Sequence, residues 1–247
     1  MGRCLLIALA GLLAAAAPPA LAGEIQVAVA ANFTAPAKDI AAAFKDKTGD
    51  EAVLSFGASG QFYAQIQQGA PYQVFLSADA DRPKAAVEAG LAVGDSRFTY
   101  AIGKLVLWSR NLDVSKGDEA LKANAFAKLA IANPKSAPYG AAAVEAMTKL
   151  GAYDAILPKI VQGASIGQAF EFVDTGNADL GFVAFSQLAN VTVGSRWLVP
   201  QTLYAPIRQD AVLLKAAADD EPSKAFLAFL RGPQARAIIE KYGYSLE

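Results

Sequence analysis

The sequence predicts an α/β protein of two lobes, each a mostly parallel sheet flanked by helices, and three observations predict it. Short β-rich runs alternate with amphipathic helical segments along nearly the whole chain, the pattern of doubly wound parallel sheets rather than of sandwiches or barrels. There are enough of these units for two lobes of about 100 residues each, an ordinary domain size. Between the two series lies YAIGKLVLWS, residues 100–109, one long β stretch with a glycine in its middle, long enough to leave one sheet and enter another.

The first 22 residues stand apart. Arg3 precedes an apolar run over 5–17, and Ala20-Leu21-Ala22 is a small-x-small cleavage signal, so this segment reads as a secretory leader. The run is too short to span a bilayer, and no later stretch is apolar for the roughly 20 residues that a membrane helix needs. Removing 22 of the 247 residues leaves 225, enough to bury a core without disulfides. The single cysteine, Cys4, is inside the leader and far from its cleavage site, unlike a lipid-anchor cysteine.

The mature chain opens on a strand over 24–30 (EIQVAVA), followed at once by Ala31-Asn32-Phe33-Thr34 and a helix with Phe33, Ala37, Ile40 and Phe44 on one face, ended by Gly49. Pro36 suits the first helical turn, where its missing N–H costs nothing. Residues 53–61 (VLSFGASGQ) then read as a strand buried on both faces that turns through two glycines into a helix carrying Phe62 and Ile66 and closed by Gly69. Ser59 falls at that helix's start, where about four amides lack partners and the macrodipole leaves roughly half a positive charge. Either Ser59 caps its own helix, or it faces an anion. A strand over 73–78 and a helix over 81–89 complete the first series.

The second series runs through a helix over 119–126, a strand over 129–132, the loop NPKSAPYG at 133–140, a helix over 141–150 and a strand near 159–161. Gly163-Ala164-Ser165 leads into a helix with Ile166, Phe170 and Val173 on one face, and 179–185 (DLGFVAF) is another buried strand. Two more strand-to-helix junctions thus appear, at Pro138-Tyr139-Gly140 and at Ser165-Ile166, with a Pro/Gly loop and an N-cap serine as the plainer alternatives. Stretches 197–200 and 203–206 read as extended, 209–214 as a strand, and the chain ends in helices carrying Phe226, Phe229, Leu230, Ile238 and Ile239. The last 40 or so residues are too few for a lobe and rejoin the first, making the hinge a double crossover. The expected division is a leader at 1–22, one lobe of 23–103 with 206–247, and another of 104–205. Ligands in such sheets gather at the carboxyl ends of the strands, so all four junctions would face one crevice.

Composition removes most enzyme chemistry. The chain has no histidine, and its mature part no cysteine, so Ser-His and Cys-His nucleophiles and the usual zinc or copper ligand sets are impossible. A formal net charge of −1, becoming −2 without Arg3, and the lack of basic runs argue against nucleic acid. Phe33, Phe44, Phe62 and Phe170 sit at core spacing; Trp108, Trp197 and Tyr204 read as ordinarily buried or as positions near the hinge. Asp118, Glu119, Arg231 and Arg236 read as solvated surface charge or as docking residues for a partner.

Taken together, the leader, VAVAANFTAP, FGASGQ, NPKSAPYG, SIGQAFEFVDTGNADLGFV and FLRGPQARAIIEKYGY resemble, in order and across the whole mature chain, the periplasmic molybdate-binding proteins of ABC importers, within the type II periplasmic binding-protein family. The resemblance implies a monomeric clamp, with no cofactor and no catalytic activity, that closes on molybdate or tungstate and hands it to an inner-membrane permease. It implies ligation by backbone and side-chain donors of Asn32, the hydroxyl and amide of Ser59, and the backbone N–H groups of Tyr139 and Ile166. Many family members place a tyrosine hydroxyl where Ala184 stands here, and a serine or threonine at Ala31 or Asn32. One donor must therefore come from elsewhere, with Ala31 and Asn32 the candidates.

Such a site suits the anion's chemistry. A fully deprotonated dianion asks only for donors, whereas phosphate carries a proton that wants an acceptor, and none of the four junctions holds Asp or Glu. The alternatives are a binder of sulfate or another tetrahedral oxyanion, an exported hydrolase or transferase using lysine or carboxylates, and the effector domain of a transcription regulator. No nucleophile elbow or paired carboxylates favour the second, and a leader replaces the DNA-binding segment required by the third.

Overall fold

The computed structural model describes residues 23–247, so the leader lies outside the described residues. From the N-terminus, β1 (Glu24–Ala30), α1 (Thr34–Thr48), β2 (Glu51–Gly57), α2 (Ser59–Gln67), β3 (Val74–Leu76), α3 (Asp81–Glu88) and β4 (Phe98–Gly103) form the first series. There follow β5 (Leu105–Ser109), α4 (Gly117–Ala123), β6 (Leu129–Ala132), α5 (Pro138–Lys149), α6 (Tyr153–Ile156), β7 (Ile160–Gly163), α7 (Ile166–Asp174), β8 (Leu180–Ala184) and β9 (Ser195–Leu198). The chain closes with β10 (Ile207–Leu213), α8 (Glu221–Arg231) and α9 (Pro233–Lys241).

The strands form two five-stranded sheets, β2-β1-β3-β10-β4 and β7-β6-β8-β5-β9. In the first, β10 runs antiparallel to its neighbours β3 and β4; in the second, β5 runs antiparallel to β8 and β9. The pairs β1–β2, β1–β3, β6–β7 and β6–β8 are parallel. Each reversed strand is the first that the chain lays down after crossing from one sheet to the other. The β stretch over 100–109 leaves one sheet and enters the other as expected, as two strands parted at Lys104.

The run at 53–56 is not buried on both faces as expected. β2 pairs only with β1, as an edge strand, and Phe56 is 37% exposed beneath the Lys38 ammonium, 5.7 Å from its ring centre. A short apolar run looks alike in a central strand and in an edge strand covered by lysine stems. The start of α5 also differs, three residues earlier than expected, because Pro138 sits in its first turn with φ already suited to the helix.

The C-terminal helices pack on the first lobe. Phe44 of α1 meets Phe226 and Phe229 of α8 edge-on, with ring centres 5.2 and 5.6 Å apart. Trp108 takes the buried alternative, in the core of the second lobe, stacked 5.2 Å from Phe170. Tyr204 is at the crossover, its hydroxyl accepting from the Leu105 N–H at 3.1 Å. No helix among the described residues is long and apolar enough to cross a membrane.

Candidate functional site

Where the carboxyl ends of the two sheets face each other, three helix starts and one tight turn meet around a small recess. Its lining includes Ala31, Asn32, Ser59, Ala78, Tyr139 and Ile166, and every residue lining it is uncharged. Ala31, Asn32, Ser59 and Ala78 come from the first lobe; Tyr139 and Ile166 come from the second. The recess is far smaller than the open groove beside it. The lobes meet beside the recess, the Gly60 N–H donating to the Ser136 carbonyl and the Ser186 hydroxyl to the Asn32 carbonyl, each at 2.8 Å.

Each helix start leaves a donor over. In α2, the N–H groups of Gln61 and Phe62 turn to the Ala58 carbonyl and that of Gly60 to Ser136, so among the described residues the Ser59 amide at the recess has no partner. In α5, Pro138 has no N–H and those of Gly140 and Ala141 reach Ala137, which leaves Tyr139. In α7, Ser165 is the N-cap, its Oγ accepting from the Gln168 N–H at 3.4 Å, and Ile166 comes next with no carbonyl one turn back. The N-cap alternative thus holds for Ser165 and still leaves Ile166 available. It does not hold for Ser59, because the capping position belongs to Ala58. The Ser59 hydroxyl instead accepts from the Ala78 N–H at 2.8 Å, which leaves its own proton to donate.

Asn32 differs from expectation. Its side-chain nitrogen donates to Gln209 Oε1 at 2.7 Å and to the Tyr244 hydroxyl at 3.0 Å, and Oδ1 has no partner among the described residues. The side-chain donors are spent, and what the turn can offer is main chain. That main chain is held from both lobes: the hydroxyls of Ser186 and Tyr244 each donate to the Asn32 carbonyl at 2.8 Å. Ala31 lines the recess beside it. Ala184 is not among the lining residues; it is fully buried, carries no polar side chain, and gives its N–H to Gln187 Oε1 at 2.8 Å. Nothing at that position replaces a tyrosine hydroxyl.

Behind the recess lies a buried polar layer that the sequence did not announce, formed by Gln209, Tyr100, Tyr139, Tyr244 and Ser186. Burial pushes the phenols of Tyr100, Tyr139 and Tyr244 well above the usual tyrosine range, so they stay neutral donors. Charges line the adjacent groove, where Arg82 is paired with Asp79 and Glu145 and Arg208 also form the walls. Arg82 Nη2 also donates to the Lys135 carbonyl at 3.2 Å, from the first lobe to the second. Chemically, the recess presents hydrogen-bond donors and the positive ends of three helix dipoles, with no base, nucleophile or ionised group.

The chain matches a family model described as bacterial extracellular solute-binding protein over residues 25–245. It is 59% identical to the molybdate-binding protein of Rhodobacter capsulatus, over 93% of this chain and 91% of that one. It is 54% identical to the molybdate-binding protein of Azotobacter vinelandii, covering 96% and 95% of the two chains. The solved periplasmic molybdate-binding protein of Azotobacter vinelandii superposes with a TM-score of 0.87 at 42% identity, over 90% of this chain and 99% of that one. These relatives are substrate-binding proteins rather than enzymes. With a fold of two sheets, a donor-lined recess between them, and identity at this level across nearly its whole length, the chain belongs to the bacterial extracellular solute-binding proteins, in the family of periplasmic molybdate-binding proteins.

Proposed function

We propose that this chain captures molybdate, and tungstate with it, in the recess between its lobes and delivers it to the permease of an ABC importer. The observation that carries this reading is the convergence of the Ser59, Tyr139 and Ile166 amides, without partners among the described residues, and the Ser59 hydroxyl on a recess lined only by uncharged residues. Each hydrogen bond to an ionised group contributes about 1.5 to 3 kcal/mol. Six or seven of them, together about 9 to 21 kcal/mol, offset association costs of about 4 to 15 kcal/mol over most of that range. Asn32 takes part through its main chain, with Ala31 beside it.

Phosphate is disfavoured because the recess offers its proton no carboxylate to bond. A site for sulfate or another tetrahedral oxyanion is the second reading, since a neutral donor shell would suit sulfate too; only the size of the closed recess separates them. The chain acts as a monomeric, non-catalytic carrier in the periplasm, after loss of 1–22, with lobes of 23–103 plus 206–247 and of 104–205. The sheet membership of β4, β5, β9 and β10 supports that division. Calorimetric titration of the mature chain with molybdate tests the reading: micromolar or tighter binding supports it, and absence of heat would refute it.

A further inference from the structure

Gln209 touches no part of the recess, yet it is fully buried between two residues that line it. Its side-chain oxygen accepts from Asn32 Nδ2 at 2.7 Å and lies 3.1 Å from the Tyr100 hydroxyl; its nitrogen donates to the Tyr139 hydroxyl at 3.2 Å. Asn32 and Tyr100 belong to the first lobe and Tyr139 to the second, so one amide group ties the two halves of the site together.

The backbone is shaped to put it there. Gln209 lies on β10, just after the return crossing, and the register of β10 against β4 breaks between Gln209 and Asp210. Such irregularities re-aim a side chain next to functional sites. Gly103, at the outward crossing, supplies the space: a Cβ there would stand 2.0 Å from the Tyr139 hydroxyl oxygen and 2.6 Å from Gln209 Nε2. Both crossovers and both halves of the recess thus meet at this side chain.

An ordinary buried glutamine satisfies itself within one core, and its bonds do not depend on domain motion. Here the Asn32 and Tyr100 contacts are internal to a lobe, whereas the Tyr139 contact crosses from one lobe to the other. We propose that Gln209 is a positioning residue that couples lobe closure to anion capture. It holds the Asn32 turn at all times and catches the Tyr139 hydroxyl on closing, which fixes the Tyr139 amide against the anion. The inference rests on the anion-clamp reading above.

The test uses the mature chain with Tyr139→Phe and Gln209→Leu, singly and together, titrated with molybdate by calorimetry, alongside melting of each ligand-free protein. Tyr139→Phe keeps the amide and removes the hydroxyl that meets Gln209 and Tyr244 across the lobes. Each single variant should bind molybdate about tenfold or more weakly, the scale of one lost buried hydrogen bond. The double variant should be little worse than the weaker single one, and ligand-free Tyr139→Phe should melt as wild type does. Additive losses, unchanged affinity of Tyr139→Phe, or an affinity loss matched by earlier melting of that ligand-free variant would overturn the proposal. Should Gln209→Leu fail to fold, Tyr139→Phe decides alone. Wild-type protein that binds no molybdate would overturn the clamp reading and this proposal with it, whereas wild-type binding with an unaffected Tyr139→Phe overturns this proposal only.

Discussion

The Gly60 N–H, in the first turn of α2, donates to the carbonyl oxygen of Ser136, in the loop that enters α5, at 2.8 Å. Backbone meets backbone across the cleft, one residue from the Ser59 donor. Only glycine permits it, since a Cβ at Gly60 would stand 2.9 Å from Ser136 Cα and 3.0 Å from its oxygen. Gly60→Ala should therefore leave the open protein intact and resist closure. The expected outcome is molybdate binding weakened about tenfold or more, at the about 1 to 3 kcal/mol typical of overpacking, with ligand-free melting unchanged. Calorimetry paired with melting checks it.

Ser59 carries two donors into the recess, its amide and a hydroxyl oriented by the Ala78 N–H at 2.8 Å. Ser59→Ala removes the hydroxyl and leaves the Ala78 amide without its acceptor. A loss of about 1.5 to 3 kcal/mol is expected, hence roughly ten- to hundredfold weaker binding. Unchanged affinity in a titration would take the hydroxyl out of the site.

Affinity should be flat between about pH 6 and pH 9, because the chain has no histidine and nothing lining the recess titrates there. The buried phenols of Tyr100, Tyr139 and Tyr244 are shifted upward, chiefly by desolvation. Folding therefore favours their protonated form. Their contribution is fully present below the unfolded value of about 10, and is lost as pH rises from there through the folded values. Melting scans should show a plateau through neutral pH and a decline beginning above about pH 10. A decline between pH 6 and 8 would mean that some other group governs the site.

How far the sequence reached follows from the range of each interaction. The junctions at Asn32, Ser59, Tyr139 and Ile166 were legible because strand, turn glycine or proline, and helix periodicity are all local signals. The edge position of β2 was not, since pairing partners do not show in a run such as VLSF. Nor was the fate of the Asn32 side chain, whose partners Gln209 and Tyr244 lie 177 and 212 residues away in the chain. Gln209 itself was read only as the start of a strand. A polar residue opening an otherwise apolar strand beside a crossover is the one hint that it gave.

In the proposed clamp, uncharged donors from both lobes hold a doubly charged oxyanion of one size. The most direct measurement is a thermal-shift panel of the mature chain with molybdate, tungstate, sulfate and phosphate at equal concentration and fixed ionic strength. Molybdate and tungstate should raise the melting temperature strongly and phosphate not at all. Stabilisation by sulfate or phosphate without molybdate would contradict the account.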